Sequence, residues 1–400
     1  MNLTSNEPFW LVKNGLLSSY PSLKENIETD ILIIGAGITG SLTAHQCIKE
    51  GYKTVIVDKR EIANGSTSAS TCMLQYEIDI PLYELSKKIG KAGAVASYKA
   101  CSDSIDILNN LVKQINSDCG FKKKQSLYSA TSKKDLKWMK SEFEIRKENG
   151  FDVSWLSGEE IKKKFSLEGS YGGILSEQGA SFDSFHFTHD LLKYNFEKGL
   201  KVYDKTSLTS KKNNKDNIVF ETENGETITA KKVIYCTGFE TTEIIKEKFV
   251  SLFNTYAIAG EQNDENSNLT DILIWDSSKP YHYMRTTDDM RLLVGGEDEK
   301  FSTPDKKLSL VGKKTKLLSK HVNKVLPQLE FTADFSWCGT FGETKDGLPY
   351  IGIHKKFPNC YFVLGFGGNG ITFSVTGMDM VSAWLKNTPH TLSEYFKFGR

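Results

Sequence analysis

The chain has 400 residues, a length that suits two domains, each with a sizeable apolar core. Its 51 Lys and Arg residues nearly balance its 50 Asp and Glu residues, which leaves a formal charge of +1. Such a chain has no global field that would attract nucleic acid or an anionic membrane, so we expect no nucleic-acid partner and favour a small-molecule substrate.

The cysteines and the N-terminal segment indicate a compartment. The seven cysteines are scattered and never spaced as Cys-x-x-Cys, which argues against a disulfide framework or a zinc site. His186 and His189 have no third ligand nearby, so we predict no metal. The polar start MNLTSNEPFW and the lack of a long apolar run predict a cytoplasmic protein without a transmembrane segment. The oligomeric state stays open.

The first predicted unit along the chain is a βαβ unit. The short apolar run from Asp30 to Ile34 predicts a strand buried on both faces of a parallel sheet. Residues 38 to 50 have the apolar spacing of a helix, and residues 53 to 60 contain the next buried strand. A parallel pair joined by a helix is the core of a doubly wound α/β domain.

The turn between the first strand and the helix carries a dinucleotide-binding motif. Gly35, Gly37 and Gly40 have the GxGxxG spacing, which provides a tight turn, close approach to a pyrophosphate and close packing of helix on strand. Asp58 ends the second strand and can accept hydrogen bonds from ribose hydroxyls. We therefore assign the cofactor to Gly35, Ala36, Gly37, Ile38, Thr39, Gly40, Asp58 and Lys59.

This motif alone does not distinguish NAD from FAD. Lys59 and Arg60 follow the second strand and could contact the 2′-phosphate of NADP, although basic residues at such a place are more often solvated. The choice of cofactor therefore depends on the rest of the chain.

Later segments predict helices and two hairpins. From about residue 82 to 119 the pattern is helical, with an apolar stripe at Ile105, Leu108, Leu111, Val112 and Ile115. A hairpin turns at Asn224-Gly225 and leads into a buried strand that ends at Thr237-Gly238. The segment PYHYMRTTDDMRLLVGG predicts a second hairpin with TTDD at its turn.

The pattern favours two interwoven domains rather than two consecutive ones, because no linker or repeat separates them. We predict an α/β fold, in which a Rossmann-type cofactor domain is interwoven with an α+β substrate domain built on a mostly antiparallel sheet. The predicted limits are 1–80, 179–245 and 336–400 for the cofactor domain, and 81–178 and 246–335 for the substrate domain.

The order of motifs resembles the D-amino-acid-oxidase-like flavoprotein family, which includes glycine oxidase, sarcosine oxidase and D-amino-acid dehydrogenases. Beside the first glycine loop, the similar segments are GSTSASTCMLQ (65–75), KKVIYCTGFE (231–240), DGLPYIG (346–352) and GFGGNGITFS (365–374). The resemblance extends over almost the whole chain and implies FAD as cofactor. It places Ser66, Thr67, Ser70 and Thr71 along the phosphates and Thr237 and Gly238 near the adenosine half.

In this family the C-terminal glycine loop passes the isoalloxazine ring, and the N-terminus of the following helix points toward the pyrimidine edge. Backbone N–H groups and the helix dipole there stabilise the negative charge of the reduced flavin. The corresponding residues of this chain are Gly367, Gly368, Asn369, Gly370, Ile371 and Thr372.

Substrate residues are expected on the second predicted hairpin. Strand alternation puts Tyr281, Tyr283 and Arg285 on one face, where an arginine bordered by tyrosines can hold a carboxylate. In glycine-oxidase-like members, an arginine closing a similar strand binds the substrate carboxylate. An exposed hairpin arginine with no substrate role is the alternative interpretation.

Cys338, followed by Gly339, occupies the place where sarcosine-oxidase-like members attach FAD covalently. Many relatives have a small residue there, and a buried cysteine is usually an inert hydrophobe, so we expect non-covalent FAD with a Cys338 link as the alternative. Sarcosine oxidases also have lysines where this chain has Leu293 and Thr372. This difference leaves the electron acceptor open.

The resemblance implies an FAD-dependent oxidoreductase that oxidises the C–N bond of an amino acid or related amine. Hydride transfer to flavin N5 would give an imine that water hydrolyses, and no proton-transfer side chain is required if the amine arrives neutral. Two alternatives remain: an FAD-dependent dehydrogenase of a 2-hydroxy acid or polyol, and a non-catalytic flavin-binding accessory protein.

Overall fold

A computed structural model describes Met1, residues 3–5 and residues 7–400. In chain order, its strands are β1 (Ile27–Ile34), β2 (Thr54–Val57), β3 (Met73–Gln75), β4 (Lys122–Ser129), β5 (Val153–Ser157), β6 (Gly172–Ser181), β7 (Lys201–Tyr203), β8 (Leu208–Asn213), β9 (Ile218–Thr222), β10 (Thr227–Tyr235), β11 (Ser251–Gln262), β12 (Ile272–Asp276), β13 (His282–Thr286), β14 (Arg291–Lys300), β15 (Ala333–Glu343), β16 (Tyr350–Ile353) and β17 (Cys360–Leu364).

Helices connect and cover these strands. They are α1 (Phe9–Asn14), α2 (Ile38–Lys49), α3 (Ser66–Ala69), α4 (Leu82–Ile89), α5 (Lys91–Gln114), α6 (Leu136–Glu148), α7 (Gly158–Phe165), α8 (Ser184–Phe196), α9 (Thr241–Ile244), α10 (Pro304–Ser309), α11 (Val311–Val325), α12 (Gly370–Leu385) and α13 (Ser393–Phe396), with 3-10 turns at Gly238–Glu240 and Asp264–Leu269. Within the described part of the chain, no helix has both the length and the apolar character needed to cross a bilayer.

The first sheet has the Rossmann-type arrangement that the sequence predicts. Its central order is β16-β17-β10-β1-β2-β7, and the pairs among β17, β10, β1, β2 and β7 are parallel. In the register, Ile34 of β1 lies opposite Val57 of β2 and Tyr235 of β10. The carboxyl ends of three neighbouring strands are therefore level, which is the edge where ligands bind in such sheets.

The predicted βαβ unit is confirmed. β2 is buried at every position and β1 is largely buried, as expected of parallel strands covered on both faces. Helix α2 begins at Ile38, directly after the glycine turn, and Gly51, with φ +82°, follows its end.

The second sheet is mostly antiparallel, as predicted. Its order is β15-β11-β14-β13-β12-β4-β6-β3, and the pair of β12 with β4 is parallel. Both predicted hairpins form, because β9 pairs with β10 and β13 pairs with β14.

The long predicted helix is two helices. Gly90, with φ +85°, separates α4 from α5, because a residue in that conformation cannot continue a right-handed helix. The apolar stripe of α5 is buried as expected, at Ile105, Leu108, Leu111 and Val112, and Ile115 lies at the helix C-cap.

The domain limits stay a prediction, and two strands cross them. β3, within the segment 1–80, and β15, mostly within the segment 336–400, both belong to the second sheet rather than the first. The chain therefore passes between the sheets inside segments that we assigned to the cofactor domain.

A buried ion cluster connects helix α6 to the start of helix α4 and to Glu77, which follows strand β3. Arg146 of α6 donates from Nε to Glu142 at 2.6 Å and from Nη1 to Glu77 at 3.2 Å, and all three side chains are fully buried. The Glu142 carboxylate also accepts the backbone N–H groups of Leu82 and Tyr83, which begin α4. One guanidinium therefore contacts two buried carboxylates, and one of these, Glu142, holds the first turn of α4.

We predict that Arg146→Ala lowers the free energy of unfolding by about 3–5 kcal/mol, because it leaves two carboxylates buried without their cation. Urea denaturation measures this loss. Lys147→Ala, an exposed neighbour on the same helix, is the matched control and should change stability by less than about 0.5 kcal/mol. Equal effects of the two substitutions would contradict the importance of the cluster.

Candidate cofactor and substrate site

A cavity of about 490 Å³ opens where the two sheets meet, at the carboxyl ends of β1, β2 and β10. The predicted residues that line it are Gly35, Gly37, Ile38, Thr39, Asp58, Lys59, Ser66, Thr67, Ser70, Thr71, Thr237, Gly238, Tyr281, Tyr283, Gly339, Gly367, Gly368, Gly370 and Ile371. Residues from distant parts of the sequence therefore converge on one cavity, and their contact with a cofactor stays a prediction.

The first glycine loop lies too close to other backbone for side chains. A Cβ on Gly40 would lie 1.8 Å from the carbonyl oxygen of Gly35, and a Cβ on Gly35 would lie 2.5 Å from that of Cys236. Gly35 also has φ +104°, a conformation that disfavours other residues. The loop consequently presents backbone N–H groups and the N-terminus of α2 to the cavity, which favours an anionic pyrophosphate.

The acidic residue after β2 is held by the loop itself. Asp58 accepts the N–H of Ala36 at 2.8 Å and that of Arg60 at 2.9 Å, one on each carboxylate oxygen. Burial raises the pKa of Asp58, and these two hydrogen bonds oppose that rise. Free lone pairs on both oxygens could still accept ribose hydroxyls.

The two basic residues after Asp58 share one acidic partner. Glu240 contacts Lys59 Nζ at 2.9 Å and Arg60 Nη2 at 2.6 Å. Burial acts to raise the pKa of Glu240, but hydrogen bonds from Arg60 and Lys59 hold it below its usual range. An ionised glutamate at this place repels a 2′-phosphate, so the geometry does not favour the NADP interpretation.

The second glycine loop is built by the same kind of close contact. A Cβ on Gly365 would lie 2.3 Å from the carbonyl oxygen of Gly370, and Gly367 has φ +73°. Gly367 donates to the carbonyl of Gly342 at 2.8 Å, which ties the loop to the end of β15. Helix α12 begins at Gly370, and its first residues line the cavity, so a second helix N-terminus faces the ligand.

The serine- and threonine-rich loop between β2 and β3 is fixed by two indoles. Trp10 donates to the carbonyl of Ser70 at 2.7 Å, and Trp337 donates to that of Ala69 at 3.0 Å. The hydroxyl of Thr67 accepts the N–H of Ile38 at 3.0 Å and so caps the start of α2. The loop is thereby held along the cavity in a set position.

Aromatic side chains of the second sheet form the opposite wall. Tyr283 of β13 lies over Gly295 of β14, where a Cβ would be 2.3 Å from the phenol ring. Tyr281 and Trp337 extend this wall, and Thr255 and Asp298 contribute polar atoms. Burial raises the pKa of Tyr283 to about 12 and raises the pKa of Tyr281 well above its usual range, so both phenols are neutral at physiological pH.

Arg285 does not line the cavity, which corrects the prediction that it faces a substrate. Its guanidinium donates to the backbone carbonyls of Thr71 at 2.7 Å, Phe182 at 3.1 Å and Thr286 at 3.1 Å. Strand alternation does place it on the same face as the two tyrosines, but the loop at Thr71 covers it. Three carbonyls therefore take the donors that a substrate carboxylate would need.

Cys338 also lies outside the cavity, contrary to the covalent alternative. Its neighbours in β15, Trp337 and Gly339, line the cavity, whereas the thiol packs on the other face of the sheet against the core that includes Leu318 of α11. Burial raises the pKa of this thiol, which disfavours the reactive thiolate. The structure thus gives Cys338 no route to a cofactor in the cavity.

The remaining predicted residues outside the cavity support its loops. The backbone of Ala36 bonds to Asp58, and Gly40 packs on Gly35. Asn369 donates to the carbonyl of Gln75 at 2.9 Å, and Thr372 donates to that of Asn369 at 3.0 Å. These residues position the two glycine loops without facing the ligand.

Asp298 is a cavity residue that sequence alternation misses. Because Tyr283 pairs with Gly295, regular alternation would turn Glu297 toward the cavity and Asp298 away from it. A register shift opposite Thr255, with Glu297 at φ +59°, reverses this order. Other lining residues that the sequence analysis did not name are Leu3, Gln75, Ser184, Thr206, Phe239, Glu240, Thr255 and Trp337.

A polar cluster lies on the opposite face of the same hairpin. Ligand atoms of Asp276, His282 and His321 lie within 4.8 Å of one another. The two imidazole rings are stacked 3.9 Å apart with planes only 16° from parallel. A metal in the plane of one ring would therefore lie far out of the plane of the other, and we assign no metal to this cluster.

The described residues fit FAD. Two loops whose close contacts exclude a Cβ, two helix N-termini and an acid at the end of β2 surround one cavity, so the fold and site define a dinucleotide-binding protein. Residues 30–383 match the family described as FAD dependent oxidoreductase. The chain belongs to this family, and FAD is its cofactor.

Individual relatives are distant. A Bacillus subtilis protein named as a Rieske 2Fe-2S iron-sulfur protein, YhfW, is 25% identical over 58% of this chain, and the match spans less than half, 44%, of that protein. Gamma-glutamylputrescine oxidoreductase of Escherichia coli is 25% identical, covering 88% of this chain and 82% of its own. Glycine oxidase of Geobacillus kaustophilus is 23% identical, covering 87% and 91%.

The crystal structure of that glycine oxidase has the same fold. It superposes with a TM-score of 0.79 over 93% of this chain and 99% of its own, at 18% sequence identity in the superposition. The α/β architecture with its two sheets is thereby confirmed, and the predicted resemblance is confirmed with it.

We predict that Gly40→Ala abolishes FAD binding and lowers the free energy of unfolding by at least about 3 kcal/mol, because the added methyl meets a backbone carbonyl. The ratio of flavin to protein absorbance and a thermal melt measure both effects. Gly312→Ala, also in a helix but with open space around it, should keep FAD and raise stability by up to about 1 kcal/mol. Retention of FAD by Gly40→Ala would overturn this account of the loop.

We predict that acid precipitation releases all FAD into the supernatant, because the Cys338 thiol does not reach the cavity. Cys338→Ala should bind FAD as well as the unchanged protein does, although its smaller side chain costs some core packing. Yellow colour in the washed pellet of the unchanged protein, lost in Cys338→Ala, would show a covalent bond instead.

Proposed function

We propose that this FAD-dependent oxidoreductase oxidises the C–N bond of an amine or amino acid to an imine, which water then hydrolyses. The names of two relatives support this proposal, since one is a gamma-glutamylputrescine oxidoreductase and the other a glycine oxidase. Bound FAD would supply the two-electron oxidation by accepting a hydride.

The residues of this chain would position the reacting carbon and exclude water. Tyr281, Tyr283 and Trp337 form an apolar wall opposite the two glycine loops, and a substrate between them would be held close to the flavin. The N-terminus of α12 would favour negative charge on the reduced cofactor.

The choice between an amine and an alcohol depends on the proton that must leave. The nitrogen lone pair of a neutral amine assists loss of hydride directly, whereas an alcohol needs a base to remove its hydroxyl proton. No histidine is among the described residues that line the cavity, and both tyrosines are neutral. The carboxylate of Asp298 also lines the cavity and could take up a proton from either kind of substrate, so the names of the two relatives are the observation that favours amine oxidation over the hydroxy-acid or polyol alternative.

An anaerobic screen tests the proposal. The purified protein, carrying FAD, is mixed with simple amines, with glycine and other amino acids, and with lactate and glycerol, while the visible flavin absorbance is followed. We expect bleaching by at least one amine or amino acid and none by the hydroxy compounds. Dithionite serves as the positive control for reduction.

Two results would contradict the proposal in different ways. Bleaching by hydroxy compounds alone would favour the FAD-dependent dehydrogenase alternative. Bleaching by dithionite alone would favour a non-catalytic flavin-binding protein. The cytoplasmic location and the oligomeric state are not addressed by this screen, and the first stays a prediction.

A further inference from the structure

The wall of the cavity formed by the second sheet carries a carboxylate, and no cationic side chain lines this wall among the described residues. Among the described lining residues the cationic side chains are Lys59 and Arg60, and both contact Glu240 beside Asp58, at the end of the first sheet. On the opposite wall the ionised side chain is Asp298. A substrate there meets a carboxylate and no cation.

The fold turns Asp298 into the cavity through an irregular strand. Glu297 takes the left-handed conformation that few non-glycine residues adopt, which strains the backbone. Its side chain consequently lies on the far face, where it contacts His282 and Lys314, and the next residue, Asp298, faces the cavity. Without this bulge the carboxylate would point away from the site.

One of the two oxygen atoms of the Asp298 carboxylate has no hydrogen-bond donor. Its Oδ1 atom is buried and makes no hydrogen bond within the described structure, whereas Thr255 bonds to the group. Lys314, whose charge acts to lower the pKa of Asp298, is engaged by Glu297 at 3.2 Å and by Glu299 at 2.8 Å. A buried carboxylate oxygen without a donor is unfavourable, and a ligand that supplies a donor or a positive charge removes that cost.

Neighbouring side chains strengthen the preference for a cation. Tyr281 lies within the fields of Asp79, Asp298 and Glu343, three carboxylates contributed by different elements. Two basic side chains near the wall are engaged elsewhere, because Arg285 bonds to backbone carbonyls and Lys124 bonds to the carbonyl and hydroxyl of Thr286. A substrate carboxylate would therefore be repelled and would find no cation on this wall.

We propose that the substrate is an amine that binds as a cation and carries no carboxylate beside its nitrogen, with Asp298 as the residue that holds its ammonium group and takes up the ammonium proton, so that the neutral amine can then lose hydride to the flavin. This inference rests on the proposed amine oxidation and narrows it from amino acids to amines. The faces of Tyr281, Tyr283 and Trp337 complete the site, since aromatic rings attract cations.

Binding of compounds that cannot be oxidised tests the inference separately from turnover. Tetramethylammonium, trimethylglycine and acetate are titrated into the FAD-bound protein while the flavin spectrum is followed. Trimethylglycine is the same kind of cation with a carboxylate added. We expect tetramethylammonium to bind at least about tenfold more tightly than trimethylglycine, and acetate not to bind.

Asp298→Asn should weaken tetramethylammonium binding at least about tenfold and keep the full content of FAD. Its melting temperature should equal or exceed that of the unchanged protein, because the substitution removes a buried charge. Glu299→Gln is the matched control, since Glu299 lies one residue along the same strand, is exposed and does not line the cavity. We expect it to change binding less than about twofold.

The pH dependence provides a further check. Burial raises the pKa of Asp298 to about 6, although the Thr255 hydrogen bond opposes the rise. Cation binding should therefore be full at pH 8 and decrease about tenfold per pH unit below 6, as the carboxylate takes up a proton. The other charged or titratable groups that face this one are Asp79, Tyr281, Tyr283, Glu297, Lys314 and Glu343.

Three outcomes would overturn the inference: tighter binding of trimethylglycine or acetate than of tetramethylammonium, no binding of any of the three, or unchanged binding by Asp298→Asn. Each is independent of the proposed function. A protein that binds tetramethylammonium through Asp298 but is reduced by no amine would retain the cation site and lose the proposed reaction. A protein reduced by glycine with Asp298→Asn unimpaired would retain the reaction and lose the cation site.

Discussion

The site depends on the approach of three backbone segments to within contact distance of one another. The backbone of Gly35 contacts the first turn of α2, at Gly40, and the residue after β10, Cys236. Neither Gly35 nor Gly40 has room for a Cβ at these contacts. This contact keeps the ends of β1 and β10 level and directs the N-terminus of α2 to the cavity. The second glycine loop repeats the arrangement at Gly365 and Gly370, so two helix N-termini converge on one ligand.

The charges around the cavity follow a division between its two walls. On the side of the first sheet, the side chains of Lys59 and Arg60 both contact Glu240, and backbone N–H groups remain for phosphates. On the side of the second sheet the aromatic wall carries Asp298 without a dedicated counter-ion. The first wall therefore suits an anionic cofactor, whereas the second suits a neutral or cationic substrate.

The sequence predicts the cofactor half of the site well, because its requirements are local. A strand, a GxGxxG turn, a helix and an acid at the next strand end are each encoded by a few consecutive residues, and β1, α2 and β2 form within a few residues of the predicted limits. The break at Gly90 was missed, because helical periodicity continues across it. Such periodicity does not report a single backbone dihedral angle.

The substrate half could not be predicted from local pattern, because tertiary contacts decide which side chains face the cavity. Alternation correctly put Tyr281, Tyr283 and Arg285 on one face, but the loop at Thr71 covers Arg285 and takes its donors. The family resemblance offered Cys338 as an alternative covalent link to FAD, although the thiol of this strand residue faces the core.

The bulge at Glu297 has the largest consequence for chemistry, since it exchanges which of two adjacent carboxylates the cavity contains. Glu297, on the far face, contacts His282 and forms an ion pair with Lys314, so its carboxylate has partners there. Asp298 on the near face is left for a ligand. Both the strained backbone and the unpaired carboxylate reduce stability, and neither is needed to build the sheet. Ligand binding at this point of the cavity wall explains best why the fold retains both unfavourable features. A bound cation would compensate the unpaired carboxylate of Asp298, and the strained bulge at Glu297 is what brings that carboxylate into the cavity.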